Sequence, residues 1–287
     1  MIQRATTVTR SVRRLRLGHS PDSDDAFMFY ALAAGKISAD DLRFDTVHRD
    51  IQTLNQLALG GDLEITAISA HAYAHVWRHY ALLTHGASMG RQYGPVVVAP
   101  EPTELDALRG QRIAIPGFLT SAYLALRLRL PSFKPEFVPF DQIMPAVAAG
   151  DVPAGLLIHE GQLTHGSLGL HRVSDLGEWW HEETGLPLPL GVNAIRRDLG
   201  KELLERASAL LKKSIRFGLA HRDEALAYAM QFAADIPRNL TDRFVSMYVN
   251  DLTLDLGAEG RASVELFLQR GYEAGILPDL PQVEWIS

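Results

Sequence analysis

Along most of this chain, short apolar runs alternate with longer amphipathic ones, and that rhythm commits it to an α/β fold. Leu15–Gly18 reads as a strand. Ser20-Pro21-Asp22-Ser23-Asp24 then opens a helix carried by Ala26-Phe27-Met28-Phe29-Tyr30, with Ser23 or Asp24 as its N-cap. Further strands are expected at Leu42–Val47, Ile65–Ser69, Pro95–Ala99, Arg112–Ile115, Phe137–Phe140 and Ala154–Ile158. Between them fall helices at Ile51–Leu59, Ala70–Leu82 and Ile143–Ala149, and one that begins near Thr120-Ser121. After Gly191 the character changes. Strand-like Val192–Ile195 is followed by helices only: Leu203–Leu219, Ala225–Ala234, Asp242–Asn250 and about Ala258–Ala274, the last ended by Gly275 as a left-handed cap.

A chain of 287 residues can bury one large core or two modest ones. Two stretches read as crossings between lobes: Val98–Pro102, where Pro100 and Pro102 bracket one Glu, and Pro187–Gly191. Two crossings make one lobe discontinuous, 13–98 plus 192–287, with 99–191 inserted as the second lobe. That arrangement lets two lobes hinge over a ligand in the cleft between them.

Several function classes are disfavoured. The formal charge of −6 argues against non-specific binding to nucleic acid or an anionic membrane, and the basic cluster Arg10, Arg13, Arg14 and Arg16 sits at the extreme N-terminus. The absence of cysteine removes disulfides, thiolate zinc sites and cysteine nucleophiles. No apolar stretch approaches the ~20 residues of a membrane span. Met1–Leu17 lacks the apolar region of a secretory signal; its Arg, Ser and Thr content is faintly transit-like, and it reads best as a tail before the first strand. A cytoplasmic protein is expected. No Walker A loop, G-x-G-x-x-G, G-x-S-x-G or H-E-x-x-H is present, which disfavours nucleotide cofactors, α/β-hydrolase chemistry and zincins.

In open α/β sheets, ligands lie beyond the carboxyl ends of the strands. Four expected strands end there on polar residues: Ser20, Ser69, the turn before Thr120-Ser121, and His159. Hydroxyls at helix N-termini sit beside free backbone N–H groups, a ready site for a carboxylate or phosphate, although each alone is an ordinary cap. His159 is the candidate general base, since imidazole titrates near working pH. His19, also at a strand end, is its rival. Strand alternation would send His159 and Glu160 to opposite faces. Asp22, Asp24 and Asp25 fall in a first helical turn, where they complement the dipole. His71, His75 and His79 form an i, i+4, i+8 stripe that reads as a solvated face rather than a metal site. Trp179-Trp180, before the second crossing, could stack on a ligand ring or pack under the hinge.

Taken together, these segments resemble the 1,4-dihydroxy-6-naphthoate synthases of the futalosine route to menaquinone. The resemblance runs from about Leu15 and is carried by Ser20-Pro21 through Leu32, Thr53-Leu54-Asn55, Ile68-Ser69 with Ala72-Tyr73-Ala74, and Gly94–Ala99. It continues through Thr120-Ser121-Ala122-Tyr123 and, most specifically, Ile158-His159-Glu160 and Thr184–Gly191. It implies a two-lobed fold like that of the periplasmic binding proteins, no metal or organic cofactor, and cleavage of cyclic dehypoxanthinylfutalosine to 1,4-dihydroxy-6-naphthoate and a three-carbon fragment. The family's proton acceptor falls on His159, and its ligand contacts on Ser69, Thr120, Ser121 and Asn55, with Ser20 beside them. The partner implied is a small carboxylated substrate; monomer and homodimer both stay open. Two departures stand out. Where family members commonly read Ser-Pro-Cys-Pro-Asn-Asp, this chain has Ser20-Pro21-Asp22-Ser23-Asp24-Asp25, and Ala67 stands where some carry Lys. Both put the exact substrate in question. The alternatives are a non-catalytic solute-binding protein of the same fold and a chorismate dehydratase.

Overall fold

The computed structural model of the chain describes residues 12–232 and 236–287. The N-terminal tail through residue 11, Arg10 included, and residues 233–235 at the end of the expected helix Ala225–Ala234 lie outside the described residues.

Two sheets organise the molecule. The chain begins in the first with β1 (Arg13–His19), β2 (Leu42–His48), β3 (Ile65–Ser69), β4 (Tyr80–Leu83) and β5 (Ser88–Gly90). It crosses to the second for β6 (Val96–Ala99), β7 (Arg112–Ile115), β8 (Lys134–Phe137), β9 (Gly155–Leu157) and β10 (His171–Asp175). It returns to the first with β11 (Leu188–Arg196) and β12 (Trp285–Ile286). The first sheet runs β12-β4-β11-β3-β1-β2, with β5 pairing to β11; the second runs β10-β6-β9-β7-β8.

Residue patterns explain the layers. In β1, Leu15 and Leu17 point into the core while Arg14 and Arg16 turn out to Asp45 and Glu64. All five residues of β3 are buried, as befits a strand covered on both faces. The helix Ser23–Ala33 is buried over most of its circumference, because helices Lys201–Ala220, Arg222–Ala229 and Arg238–Tyr248 pack around it. Fully buried Phe27, Leu17 and Ile65 each contribute about 1.5–3 kcal/mol of apolar burial. No helix among the described residues is long and apolar enough to cross a membrane.

Sheet membership shifts both expected crossings. β6 is paired on both sides within the second sheet, to β9 and β10, so the chain has changed lobes before Val96 rather than at Val98–Pro102. Leu188 already pairs with Gly90, so the return precedes Pro189; the turn is made by Gly185, left-handed at the end of helix Leu176–Thr184. The prolines at 100 and 102 follow a strand instead of bridging lobes. At these crossings the backbones nearly touch: a Cβ on Gly177 would lie 1.9 Å from the Tyr93 carbonyl oxygen.

Other local expectations change as well. The helix expected over Ala70–Leu82 stops at Val76, because Tyr80–Leu83 is a fully buried run that pairs with β11 and β12. A short apolar run of that kind is compatible with either periodicity, and sheet partners decide it. The His71–His79 stripe is broken by the same turn: His71 is buried, with its Nδ1–H on the Thr120 carbonyl, whereas His75 and His79 are exposed. The C-terminal region is not helical throughout, since β12 returns to the first sheet.

Candidate active site

β1, β3, β7 and β9 end at the junction of the two sheets, and their carboxyl ends surround one cleft. Ser20, Ser69, Thr120, Ser121 and His159 all line it. Asn55 does not line it. It is fully buried, its Oδ1 accepts from the Ser69 N–H at 2.8 Å, and its Nδ2 donates to Ser69 Oγ at 3.0 Å and to the Leu119 carbonyl at 3.3 Å. Asn55 therefore orients Ser69 and ties the loop after β7 to the first lobe.

The hydroxyls are not equivalent. Thr120 caps helix Ser121–Arg129 by accepting from the Tyr123 N–H and donates its own proton to the Gly117 carbonyl at 2.8 Å. Ser121 donates to the Leu190 carbonyl at 2.6 Å. Ser69 Oγ accepts from Asn55, which leaves its proton for a ligand. At this end of the cleft an anion would meet the Ser69 hydroxyl and the unpaired first-turn N–H groups of helix Ser121–Arg129.

The opposite end is acidic. Helix Ser23–Ala33 begins with Asp22 at its N-cap, and Asp22, Asp24 and Asp25 face the cleft. Among the described residues no Lys or Arg lines it. Burial, reinforced by Asp25 and Asp22, pushes the Asp24 carboxyl well above the ordinary range, and burial lifts Asp25 to about 6 against the hydrogen bonds it accepts from Ser20. The raised Asp24 favours its neutral form, which reduces the repulsion that these residues would otherwise exert on a carboxylated ligand. Burial also raises Glu160, whose Oε1 accepts from Ser23 Oγ at 2.9 Å.

His159 is held differently from the strand-end geometry expected for it. β9 ends at Leu157, and His159 takes a left-handed backbone with φ of 55°. Strand alternation no longer applies, so both His159 and Glu160 meet the Asp22-Ser23 turn of the opposite lobe. His159 Nδ1 lies 2.9 Å from Asp22 Oδ2, its ring packs edge-on to Phe140, and its buried Nε2 has no partner. Burial opposes the imidazolium, but Asp22, helped by Glu160 and Asp24, outweighs it and raises His159 to about 9. Asp22 is held below the ordinary carboxylate value, where His159 overcomes the opposing effect of burial.

His19 is not placed to act as the rival base. Its Nδ1–H donates to the Ser20 carbonyl at 2.8 Å, its Nε2 contacts His48 Nε2 at 3.1 Å, and it does not line the cleft. Burial lowers it to about 4. Trp180 packs on Phe267 away from the cleft, beneath the hinge. Among the described residues no group of three or more His, Asp or Glu is arranged to hold a metal ion. Ser88, Gln162, Phe244 and Tyr248 also line the site, with the Tyr248 hydroxyl donating to Gln162 Oε1 at 2.7 Å. Sequence reasoning missed these four. Only Gln162, three residues beyond His159, offered a positional hint.

The profile of a protein family described as "Menaquinone biosynthesis" matches residues 15–273. The chain belongs to that family. Two members it resembles are named 1,4-dihydroxy-6-naphtoate synthase: one from Thermus thermophilus, 42% identical over 93% of this chain and 97% of that protein, and one from Streptomyces coelicolor, 36% identical over 94% and 97%. Among solved structures, protein AF1704 from Archaeoglobus fulgidus superposes with a TM-score of 0.88 at 45% identity, covering 92% of this chain and 98% of that one. The alkanesulfonate-binding protein SsuA from Xanthomonas axonopodis pv. citri, bound to MOPS, superposes with a TM-score of 0.71 at 13% identity, covering 96% and 98%. That likeness makes the fold a two-lobed one of the periplasmic-binding-protein kind. The family shares this architecture with solute binders, so the residues in the cleft, not the fold, must carry the functional argument.

Proposed function

We propose that this chain is a 1,4-dihydroxy-6-naphthoate synthase. It would act on cyclic dehypoxanthinylfutalosine, with His159 accepting the proton that starts cleavage. The observation that carries the reading is His159 Nε2: buried, without a partner, on a side chain that lines the cleft and whose other nitrogen is already engaged. A solute binder needs no unpaired basic nitrogen there, and leaving one costs desolvation energy. The substrate's carboxylate would lie against Ser69 and the amino end of helix Ser121–Arg129, with its polyol end toward Asp24, Asp25 and Ser88. Asp24, whose burial favours the protonated form, would donate a hydrogen bond to an oxygen that gains charge as the ring opens. Loss of a proton to Nε2 sends electrons toward the ring that becomes aromatic; the three-carbon fragment departs and regains a proton. Aromatisation supplies the driving force.

The test is product formation from cyclic dehypoxanthinylfutalosine, read by liquid chromatography with mass detection. Wild-type protein is expected to form dihydroxynaphthoate, and His159→Ala to be slower by about 10²–10⁴-fold. Failure of folded wild-type protein to form product would refute the activity; undiminished turnover by His159→Ala would refute the base.

A further inference from the structure

The acidic turn at the head of helix Ser23–Ala33 is the one that meets His159. Asp22 occupies the N-cap of helix Ser23–Ala33, where an aspartate ordinarily accepts a first-turn N–H with its side chain. Here the carboxylate makes no such bond. It reaches across the cleft to His159 Nδ1 at 2.9 Å, and the next residue, Ser23, reaches across to Glu160 at 2.9 Å. A helix start that leaves its own N–H groups uncapped in order to contact the opposite lobe is arranged for something other than helix stability.

We propose that Asp22 is the positioning partner of His159: it fixes the ring with its proton on Nδ1 and Nε2 toward the substrate, and the pair is assembled by the approach of the two lobes. The proposal rests on His159 being the base. Asp22 belongs to the first lobe and His159 to the second, so separating the sheets takes the carboxylate from the ring. The titratable groups around the ring are Asp22, Asp24 and Asp25 from the head of the helix and Glu160 from its own turn, while helix Phe140–Ala148 presents the uncharged Phe140. Tyr248 lines the same cleft from helix Arg238–Tyr248. Only Asp22 among the acids is hydrogen-bonded to the imidazole. Removing it leaves burial, which favours the neutral ring, opposed only by the more distant acids.

The test pairs a protonation readout with turnover, in full-length protein bearing labelled histidine. The His159 resonance is identified by its loss in His159→Gln and followed against pH in wild type, Asp22→Asn, Asp22→Glu and Asp22→Ser. Serine stays uncharged throughout the pH range and suits a helix N-cap, so it provides a second neutral variant should asparagine impair folding. The expected result is a downward shift of the His159 titration by at least one pH unit in the Asn and Ser variants. At a pH where the wild-type ring is neutral, kcat should fall at least tenfold in both, and the Glu variant should recover part of each. A His159 titration unchanged in Asp22→Asn and Asp22→Ser would overturn the proposal, as would equal kcat losses in Asn, Ser and Glu variants. If the titration moves as expected but His159→Ala retains full turnover, the pairing stands and it is the assignment of His159 as base that fails.

Discussion

The charge state of His159 makes the pH dependence of turnover a sharp prediction. A general base works only as the neutral ring, and its buried contact with Asp22 raises this ring to about 9. With an ionisation there, about one ring in a hundred is neutral at pH 7, about one in ten at pH 8 and about half at pH 9. At saturating substrate, where kcat reports the closed complex, turnover should therefore rise about tenfold from pH 7 to 8 and about fiftyfold by pH 9. The sign follows from the raised value: a lowered one would place the plateau below neutrality. The assay is initial-rate product formation at fixed ionic strength, with His159→Ala as the control that should lack the ascending limb. A kcat that levels off by pH 7 would refute the reasoning, because it would place the working ring at or below the ordinary value of about 6.5. The same shift acts on folding. Stability from the charged pair is full below the unfolded-state value of about 6.5 and is lost as pH rises through about 9, so rates must be measured well below the unfolding temperature.

Two substitutions test other parts of the account. Asn55→Ala strands the Ser69 N–H and the Leu119 carbonyl, and should lower stability by about 1–3 kcal/mol and raise KM, measured by denaturant unfolding and steady-state kinetics; an unchanged KM would remove Asn55 from ligand positioning. Gly177→Ala drives a Cβ against the Tyr93 backbone at the crossing, and should cost about 1–3 kcal/mol or prevent folding, seen as a lower midpoint in thermal melts.

The sequence made the carboxyl-end hydroxyls and His159 legible because each follows an apolar run and opens a turn or helix. Polar residues at strand ends are where an α/β sheet gathers its ligand contacts. What it could not convey was the direction of those groups. The hydroxyls of Thr120 and Ser121 are committed to the Gly117 and Leu190 carbonyls, and no spacing rule announces that. His159 escaped the alternation rule because the chain turns left-handed at that residue, which brings Glu160 to the same side. Ser88 and Tyr248 were invisible for another reason. One lies in a three-residue strand and the other ends a helix far along the chain, and only tertiary packing brings them to the cleft. Tyr80–Leu83 shows the converse limit, a four-residue apolar run whose fate depended on strands contributed by residues 188–196 and 285–286.

The position of β11 also sets the order in which the chain can fold as it is synthesised. The second sheet is complete once residue 175 has emerged, because all five of its strands are continuous in the chain. The first sheet cannot be: β11 separates β3 from β4, and helix Ser23–Ala33 waits for helices that begin at Lys201. Until then β3 and β4 present unpaired edges and apolar faces to the surroundings, the condition that recruits chaperones or promotes aggregation. Slowing translation between the codons for residues 100 and 190 would lengthen that exposure, so the yield of folded protein should depend on how fast this segment is made.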